Sequence, residues 1–124
     1  MKEECFITQG EFNLVFEKQV IRCGEILQRK AKEYTGDSPD RLSAFKVASA
    51  MQGCGPERAL AGMMAKHIVS IYDMCYAEDE TYDIAVWDEK ITDTLNYLFL
   101  LRAVVEEGQN IGLDSGKDFK LFRN

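Results

Sequence analysis

The chain has 124 residues and a formal net charge of −6, with 46% hydrophobic and 29% charged residues. A chain of this length can bury one sizeable core, but it is too short for two. We therefore expect a single domain over residues 1–124 that needs neither a disulfide nor a metal ion for stability. The excess of acidic over basic residues, 21 against 15, disfavours duplex nucleic acid and anionic membranes as main partners.

Two further features of the composition bear on location and chemistry. No segment has the apolar run of a signal peptide or the roughly 20 apolar residues of a membrane span, so we expect a cytoplasmic protein with no membrane contact. The four cysteines are far apart with no Cys-x-x-Cys pair, and His67 is the only histidine. This pattern predicts reduced thiols and no structural zinc site.

The first half of the chain predicts one long and one short helix. Apolar residues at steps of three and four predict a first helix over about 11–35, which Gly36 ends. Ser38 is the predicted N-cap of a short second helix and Pro39 its first residue. The predicted buried side chains of this second helix are Leu42, Phe45, Ala48 and Met51.

The second half of the chain predicts two more long helices. The break at 53–56 precedes a third helix that runs to about residue 76, with an apolar stripe of Leu60, Met64, His67, Ile71 and Met74. A fourth helix over about 84–107 is closed by Gly108. Its apolar stripe comprises Trp87, Ile91, Leu95, Leu98, Leu101 and Val105.

These elements together predict an all-α protein, a compact bundle of three long helices and one short helix with a C-terminal tail over about 109–124. Short extended pieces are possible at 5–8 and 118–122. We expect a homo-oligomer, because the second and fourth helices and the apolar tail leave more hydrophobic surface than one small bundle can bury.

Polar residues interrupt the apolar pattern of the third and fourth helices at matching spacings. They are Lys66, Ser70 and Asp73 on the third helix, and Glu89, Asp93 and Asn96 on the fourth, with Lys90 and Tyr97 beside them. If these helices are antiparallel neighbours, the two polar stripes line one cleft. The alternative is that both stripes are solvated faces with i to i+4 ion pairs.

Basic residues and a tyrosine also cluster near the ends of the first two helices. Arg41 and Lys46 belong to the second helix, and Lys30, Lys32 and Tyr34 lie at the end of the first. Lysine and arginine at helix termini bind phosphate well, and a base can stack on tyrosine. This combination suits a nucleotide, although Arg41 and Lys46 could equally serve to neutralise the carboxylate excess.

Four segments carry a resemblance to known proteins. Residues 30–34, 40–46, 62–70 and 88–97 resemble small proteins of phages and prophages, within a similarity that covers about residues 24–107. Those proteins are similar to the nucleotide-modification-associated domains of phages and, more remotely, to MazG-type all-α nucleotide pyrophosphatases. The resemblance implies a nucleotide or nucleotide-derived ligand and a location in the cytoplasm of a bacterial host cell.

MazG-type enzymes hold magnesium with paired acidic motifs, one of which has a Glu three residues before an Asp. Asp93 matches that Asp, but Lys90 occupies the position of the Glu, and Glu89 comes one residue too early. We therefore expect a nucleotide-binding protein without turnover and without a cofactor, which captures a nucleotide-derived signal of host defence. Its predicted ligand-binding residues are Arg41, Lys46, Lys66, His67, Ser70, Glu89, Lys90, Asp93, Asn96 and Tyr97.

The expected roles divide these residues by chemistry, and two alternatives stay open. The phosphates are expected to contact Lys66, His67, Lys46 and Arg41, and the ribose or base to contact Asp93, Asn96 and Ser70, with Tyr97 or Tyr34 stacking and Glu89 orienting Lys66 or Lys90. In the enzyme alternative, a degenerate MazG-like pyrophosphatase, Asp73, Glu89 and Asp93 hold magnesium. In the other alternative, the bundle and tail of an interaction protein cap a host factor.

Overall fold

The computed structural model describes residues 5–78 and 81–109. Within these ranges the chain forms four α-helices and no strand: α1 (Gln9–Thr35), α2 (Ser43–Gln52), α3 (Pro56–Tyr76) and α4 (Ile84–Gln109). The predicted all-α bundle of three long helices and one short helix is confirmed. The segment 5–8 forms no strand, whereas the predicted extended piece at 118–122 and nearly all of the predicted tail lie outside the described residues.

A reciprocal cap fixes the start of α1 two residues before the predicted position. The Thr8 hydroxyl accepts a hydrogen bond from the Glu11 backbone N–H at 3.1 Å, and the Glu11 carboxylate accepts one from the Thr8 backbone N–H at 3.0 Å. The helix ends at Gly36 as predicted, where φ is +58°. This left-handed conformation favours glycine over residues with a side chain.

The predicted start of α2 at Ser38 and Pro39 is wrong, because local turns capture the backbone there. The Ser38 hydroxyl accepts a hydrogen bond from the Asp40 N–H at 3.1 Å, and the Asp40 carboxylate accepts one from the Leu42 N–H at 2.9 Å. Such side-chain turns compete with helical hydrogen bonding. The helix therefore begins only at Ser43.

The inner face of α2 also differs from the prediction at its last position. Leu42 and Phe45 are buried as expected, but Met51 is exposed and Ser49 is buried instead. Ser49 lies seven residues after Leu42, two helical turns along the same face, whereas Met51 points away from it. The Ser49 hydroxyl tolerates burial because it donates to the Lys46 carbonyl at 2.8 Å.

The helices pack in a ring in which α4 contacts α3 and α1, and α2 contacts α3 and α1. The helices α3 and α4 are antiparallel, as the sequence analysis supposed for its polar cleft: Leu60 and Val104 meet in one cluster at one end, and His67 and Tyr97 meet further along. The buried cluster comprises Leu42, Phe45, Leu60 and Val104, so the core lies where α2 closes the ring. No helix of the described ranges is long and apolar enough to span a membrane.

The predicted apolar stripe of α4 does not coincide with its buried face. Ile91 and Leu98 are partly exposed, while Thr92, Asn96 and Val104 are buried. Apolar residues surround most of this helix, so their spacing does not single out one face. Thr92 is tolerated inside because its hydroxyl accepts a hydrogen bond from the Gln19 side chain at 2.9 Å.

The packing predicts unequal effects for two leucines truncated to alanine. Leu60 is fully buried in the core cluster, so Leu60→Ala should reduce the free energy of unfolding by about 2–5 kcal/mol through lost burial and a cavity. Leu98, about half exposed on α4, should cost less than about 1 kcal/mol. Urea denaturation of both variants measures the difference, and a similar loss for both would contradict this arrangement of the core.

Candidate ligand-binding site

A cavity of about 200 Å³ lies where all four helices meet. Its wall is mostly aliphatic and aromatic, with a small number of polar and charged side chains, as is typical of sites for small molecules. The apolar lining consists of Leu27, Ala44, Phe45, Met63 and Leu100, and the polar lining of Lys30, Tyr34, Arg41, Asp93, Asn96 and Tyr97.

Two cations border this cavity. The Lys30 ammonium lies 3.7 Å from an Asp93 carboxylate oxygen, too far for a hydrogen bond. Arg41 donates from Nη2 to the Leu27 carbonyl at 3.2 Å. That bond uses one of the five N–H groups of the guanidinium, so both cations can meet an anion that enters the cavity.

The Asn96 side chain is buried in the cavity wall without a partner. It is 6% exposed, and neither its amide nitrogen nor its amide oxygen has a hydrogen-bond partner among the described residues. Leaving a buried polar group unpaired costs about 1–3 kcal/mol. Nearly all buried polar side chains in proteins are paired, so this unpaired amide singles out the cavity as the candidate ligand-binding site.

Partial burial favours the neutral forms of two rings that meet between α3 and α4. The centroids of the His67 and Tyr97 rings are 5.2 Å apart, at 39° to each other. Burial raises the pKa of Tyr97. Burial also lowers the pKa of His67, against the opposing effect of the Asp93 charge, and three nearby lysines lower it further. Besides the two Asn96 amide atoms, His67 Nδ1 is a buried atom with no hydrogen-bond partner in the described part of the chain.

A second, more open cavity of about 380 Å³ lies between α1 and α4. It shares Lys30 and Asp93 with the first cavity, so this loose ion pair stands between the two. Its other lining residues are Arg22, Ile26, Arg29, Asp88, Glu89 and Thr92. Three cations face three carboxylates, and Arg22 lies 3.6 Å from Asp88. The balanced charges give this cavity no preference for an anion.

The first cavity brings together four of the ten predicted site residues, Arg41, Asp93, Asn96 and Tyr97, and His67 contacts it through the Tyr97 ring. Glu89 lines the second cavity. The remaining four are placed elsewhere: Lys46, Lys66, Ser70 and Lys90. Lys66, Ser70 and Lys90 line neither of these cavities, and Lys66 is exposed.

Lys46 is engaged in a separate ion-pair group. Its ammonium donates to Asp40 at 2.6 Å and to Glu107 at 2.9 Å. The hydrogen bonds that Lys46 donates to these carboxylates raise the pKa of Lys46, and the bond accepted from Lys46 lowers the pKa of Asp40. This group ties the loop before α2 to the end of α4.

Sequence reasoning noted Lys30 as a base near the end of the first helix but did not place it in the site. The signal was present, since Lys30 occupies the face defined by Cys23, Leu27 and Tyr34, at helical steps of three and four. A lysine in an otherwise apolar stripe is costly to bury unless it has a charged partner. Its partner here is Asp93.

The acidic residues do not fit the magnesium set of the enzyme alternative. Glu89 and Asp93 both line the second cavity, but Asp73 is exposed on α3 and lines neither cavity. Over residues 5–78 and 81–109 no group of three or more His, Cys, Asp or Glu side chains is placed to hold a metal ion.

Comparison of the chain with protein-family models, with curated proteins and with solved structures finds no match.

The environment of His67 predicts its titration. Its pKa should lie below the usual 6.5 because burial disfavours the imidazolium. The unfolded chain then binds a proton more readily than the folded chain, so the free energy of unfolding should fall as the pH drops below about 6.5. His67 is the only histidine, so NMR follows a single imidazole. A pKa at or above 6.5 would contradict the assignment, and His67→Gln should flatten this part of the stability profile.

Proposed function

We propose that the chain binds a nucleotide in the cavity between its four helices and does not turn it over. The observation that carries this proposal is the buried, unpaired amide of Asn96 in the wall of a cavity bordered by two cations. A ligand with a hydrogen-bond donor and an acceptor pairs with the Asn96 amide, and an anionic group on the same ligand pairs with the two cations.

The nucleobase is the group that suits the interior of the cavity. An asparagine amide can pair with the donor and acceptor on the edge of a base, as it does with adenine in nucleic-acid recognition. The Tyr97 ring and the apolar wall suit the flat faces of the base. Binding sites for whole drug-sized molecules are about 300–1,000 Å³, so a cavity of about 200 Å³ accommodates a ring system rather than a complete nucleotide.

The sugar and phosphate then belong at the border of the cavity. Lys30 and Arg41 bind the phosphate, and the exposed ring of Tyr34 covers one side of the sugar. A phosphate at Lys30 competes with Asp93 for the ammonium, which leaves the Asp93 carboxylate to accept a hydrogen bond from a ribose hydroxyl. In the ligand-free chain the Asn96 amide is screened from water, so binding includes a turn of this side chain toward the base.

The choice of binding over hydrolysis rests on the charges in the lining. Asp93 is the one carboxylate among the described lining residues of this cavity, and Lys30 is its partner. Metal-assisted phosphoryl chemistry uses several carboxylate oxygens around the cation. The resemblance to phage proteins suggests the role, which is capture of a nucleotide signal of host defence.

The first test is calorimetric titration with a panel of nucleotides in the presence of a chelator. A nucleotide should bind, its affinity should not change on chelation, and mass spectrometry should recover it unchanged. Lys30→Gln should weaken binding more than tenfold, because a charge-assisted contact contributes about 1.5–3 kcal/mol. Lys32→Gln is the matched control on the exposed side of the same helix and should have less than a twofold effect.

Other outcomes of this titration favour the alternatives. Hydrolysis that requires magnesium would support the pyrophosphatase. Absence of binding by every nucleotide would refute the proposal and favour an interaction protein.

The second test separates binding from folding at Asn96. Asn96→Leu replaces an unpaired buried amide with an apolar side chain of similar size, so the free energy of unfolding should stay the same or rise. Nucleotide affinity should fall more than tenfold, because the base loses its hydrogen-bonding partner. Thermal denaturation and calorimetry measure the two effects. A large loss of stability with unchanged affinity would show that the amide serves the fold instead.

A further inference from the structure

The first half of α1 carries an apolar stripe that nothing in the described part of the chain covers. We define the α1 stripe as Phe12, Val15 and Phe16, which share one face of the helix. Phe6 and Ile7 directly precede the N-cap of the helix, Thr8. These five side chains are between 52 and 75% exposed, although three of them are phenylalanines, which are among the residues most often buried.

The α1 stripe lies on the same face that packs into the bundle further along the helix. Cys23 lies seven residues after Phe16 and eleven after Phe12, close to whole numbers of turns, and it is buried. The hydrogen bond and ion pairs described between α1 and α4 begin only at Gln19. The face of α1 that packs into the bundle therefore stays apolar in the first half of the helix, where no described hydrogen bond or ion pair to α4 is formed.

The offset between α1 and α4 explains this exposure. The two cavities are lined by residues 22–30 of α1 with 88–93 of α4, and by 27–34 with 93–100, so these helices run in the same direction. Arg22 pairs with Asp88, and α4 begins only four residues before Asp88, at Ile84. The first half of α1 therefore extends past the start of α4. It also makes no contact with α3 in the described ranges, and all its residues from 9 to 18 are exposed.

We propose that a second copy of this chain covers the α1 stripe, through antiparallel packing of the two α1 helices about a two-fold axis. Two-fold interfaces use the same patch on both copies, and the α1 stripe with Phe6 and Ile7 is such a patch. At the observed exposures these five side chains present on the order of 600 Å² of surface. A standard interface buries about 800 Å² per partner, of which about 65% is apolar in homodimers. The patch therefore supplies the apolar area that a stable dimer needs.

The charges beside the α1 stripe agree with the antiparallel arrangement. Glu11 and Lys18 lie on the same edge of the stripe, seven residues apart. An axis at the middle of the stripe brings Glu11 of one copy level with Lys18 of the other, twice in each dimer. A parallel two-fold arrangement would place the Glu11 and Lys18 side chains of the two copies on opposite sides of the interface, so they would form no charge pairs.

Sedimentation velocity of the full-length protein at micromolar concentrations tests the proposal. The mass of a dimer is expected, and Phe16→Lys should raise the dissociation constant at least tenfold, with Val15→Lys as a second variant on the same face. Leu14→Lys is the matched control, because Leu14 lies on the opposite face of α1 at 55% exposure and receives the same charge. It should change the constant less than twofold.

Three results would overturn the proposal: a monomer at every concentration, a dimer that neither Phe16→Lys nor Val15→Lys weakens, or a dimer that Leu14→Lys weakens as much. Circular dichroism should show the same helix content in all the proteins, since each changed side chain is exposed. Nucleotide binding is measured in parallel on the same variants, so failure of the dimer and failure of the binding site are distinguishable.

Discussion

The arrangement of this protein depends on a short helix that closes a ring of three long ones. Leu42, at the start of α2, and Phe45 complete the apolar cluster around Leu60 and Val104. The loop before α2 is held to the end of α4 through Asp40, Lys46 and Glu107. Where α2 is present, the bundle has a core and a cavity at its centre. In its first half, which extends past the start of α4, the same face of α1 is exposed.

Three polar residues near this core differ in whether they have hydrogen-bond partners, and this difference marks the candidate site. Thr92 and Asn96 lie one turn apart on the inner face of α4, and both are buried. The Thr92 hydroxyl is paired with Gln19, whereas the Asn96 amide and His67 Nδ1 have no hydrogen-bond partner in the described ranges. A chain selected for stability alone would gain from an apolar residue at position 96. The unpaired amide is a local cost of the kind that concentrates at functional sites.

The fold could be predicted from the sequence mainly because glycine and proline residues lie where the helices end and begin. Gly36 and the segment 53–56 end and begin helices as their residue types predict. The start of α2 was missed because the Ser38 and Asp40 side chains accept hydrogen bonds from backbone N–H groups in turns. The Ser-Pro pair, which is typical of a helix start, gives no sign of these turns. The buried face of α4 was missed for a different reason, since a helix that is apolar on most sides is oriented by its neighbours and not by its own pattern.

The candidate site was predictable only in part, and again the reason is physical. Asp93, Asn96 and Tyr97 were found because polar groups in an apolar helix need partners. Lys66 and Asp73 follow the same spacing on α3, but the helix turns them away from the cavity. A matching period predicts that residues share a face, and only the packing of a neighbour decides whether that face lines a cavity.

The Lys30 and Asp93 pair shows how electrostatics links the parts of the proposed site. At 3.7 Å the two charges attract each other without a hydrogen bond, and partial burial strengthens that attraction relative to water. A phosphate carries more charge than a carboxylate and accepts hydrogen bonds from Lys30 and Arg41 together, so it can displace Asp93 from the lysine. Burial and three lysines lower the pKa of His67, and the charge of Asp93 raises it. If a nucleotide binds as proposed, its phosphate adds negative charge beside Lys30, one of these lysines, so the pKa of His67 should rise.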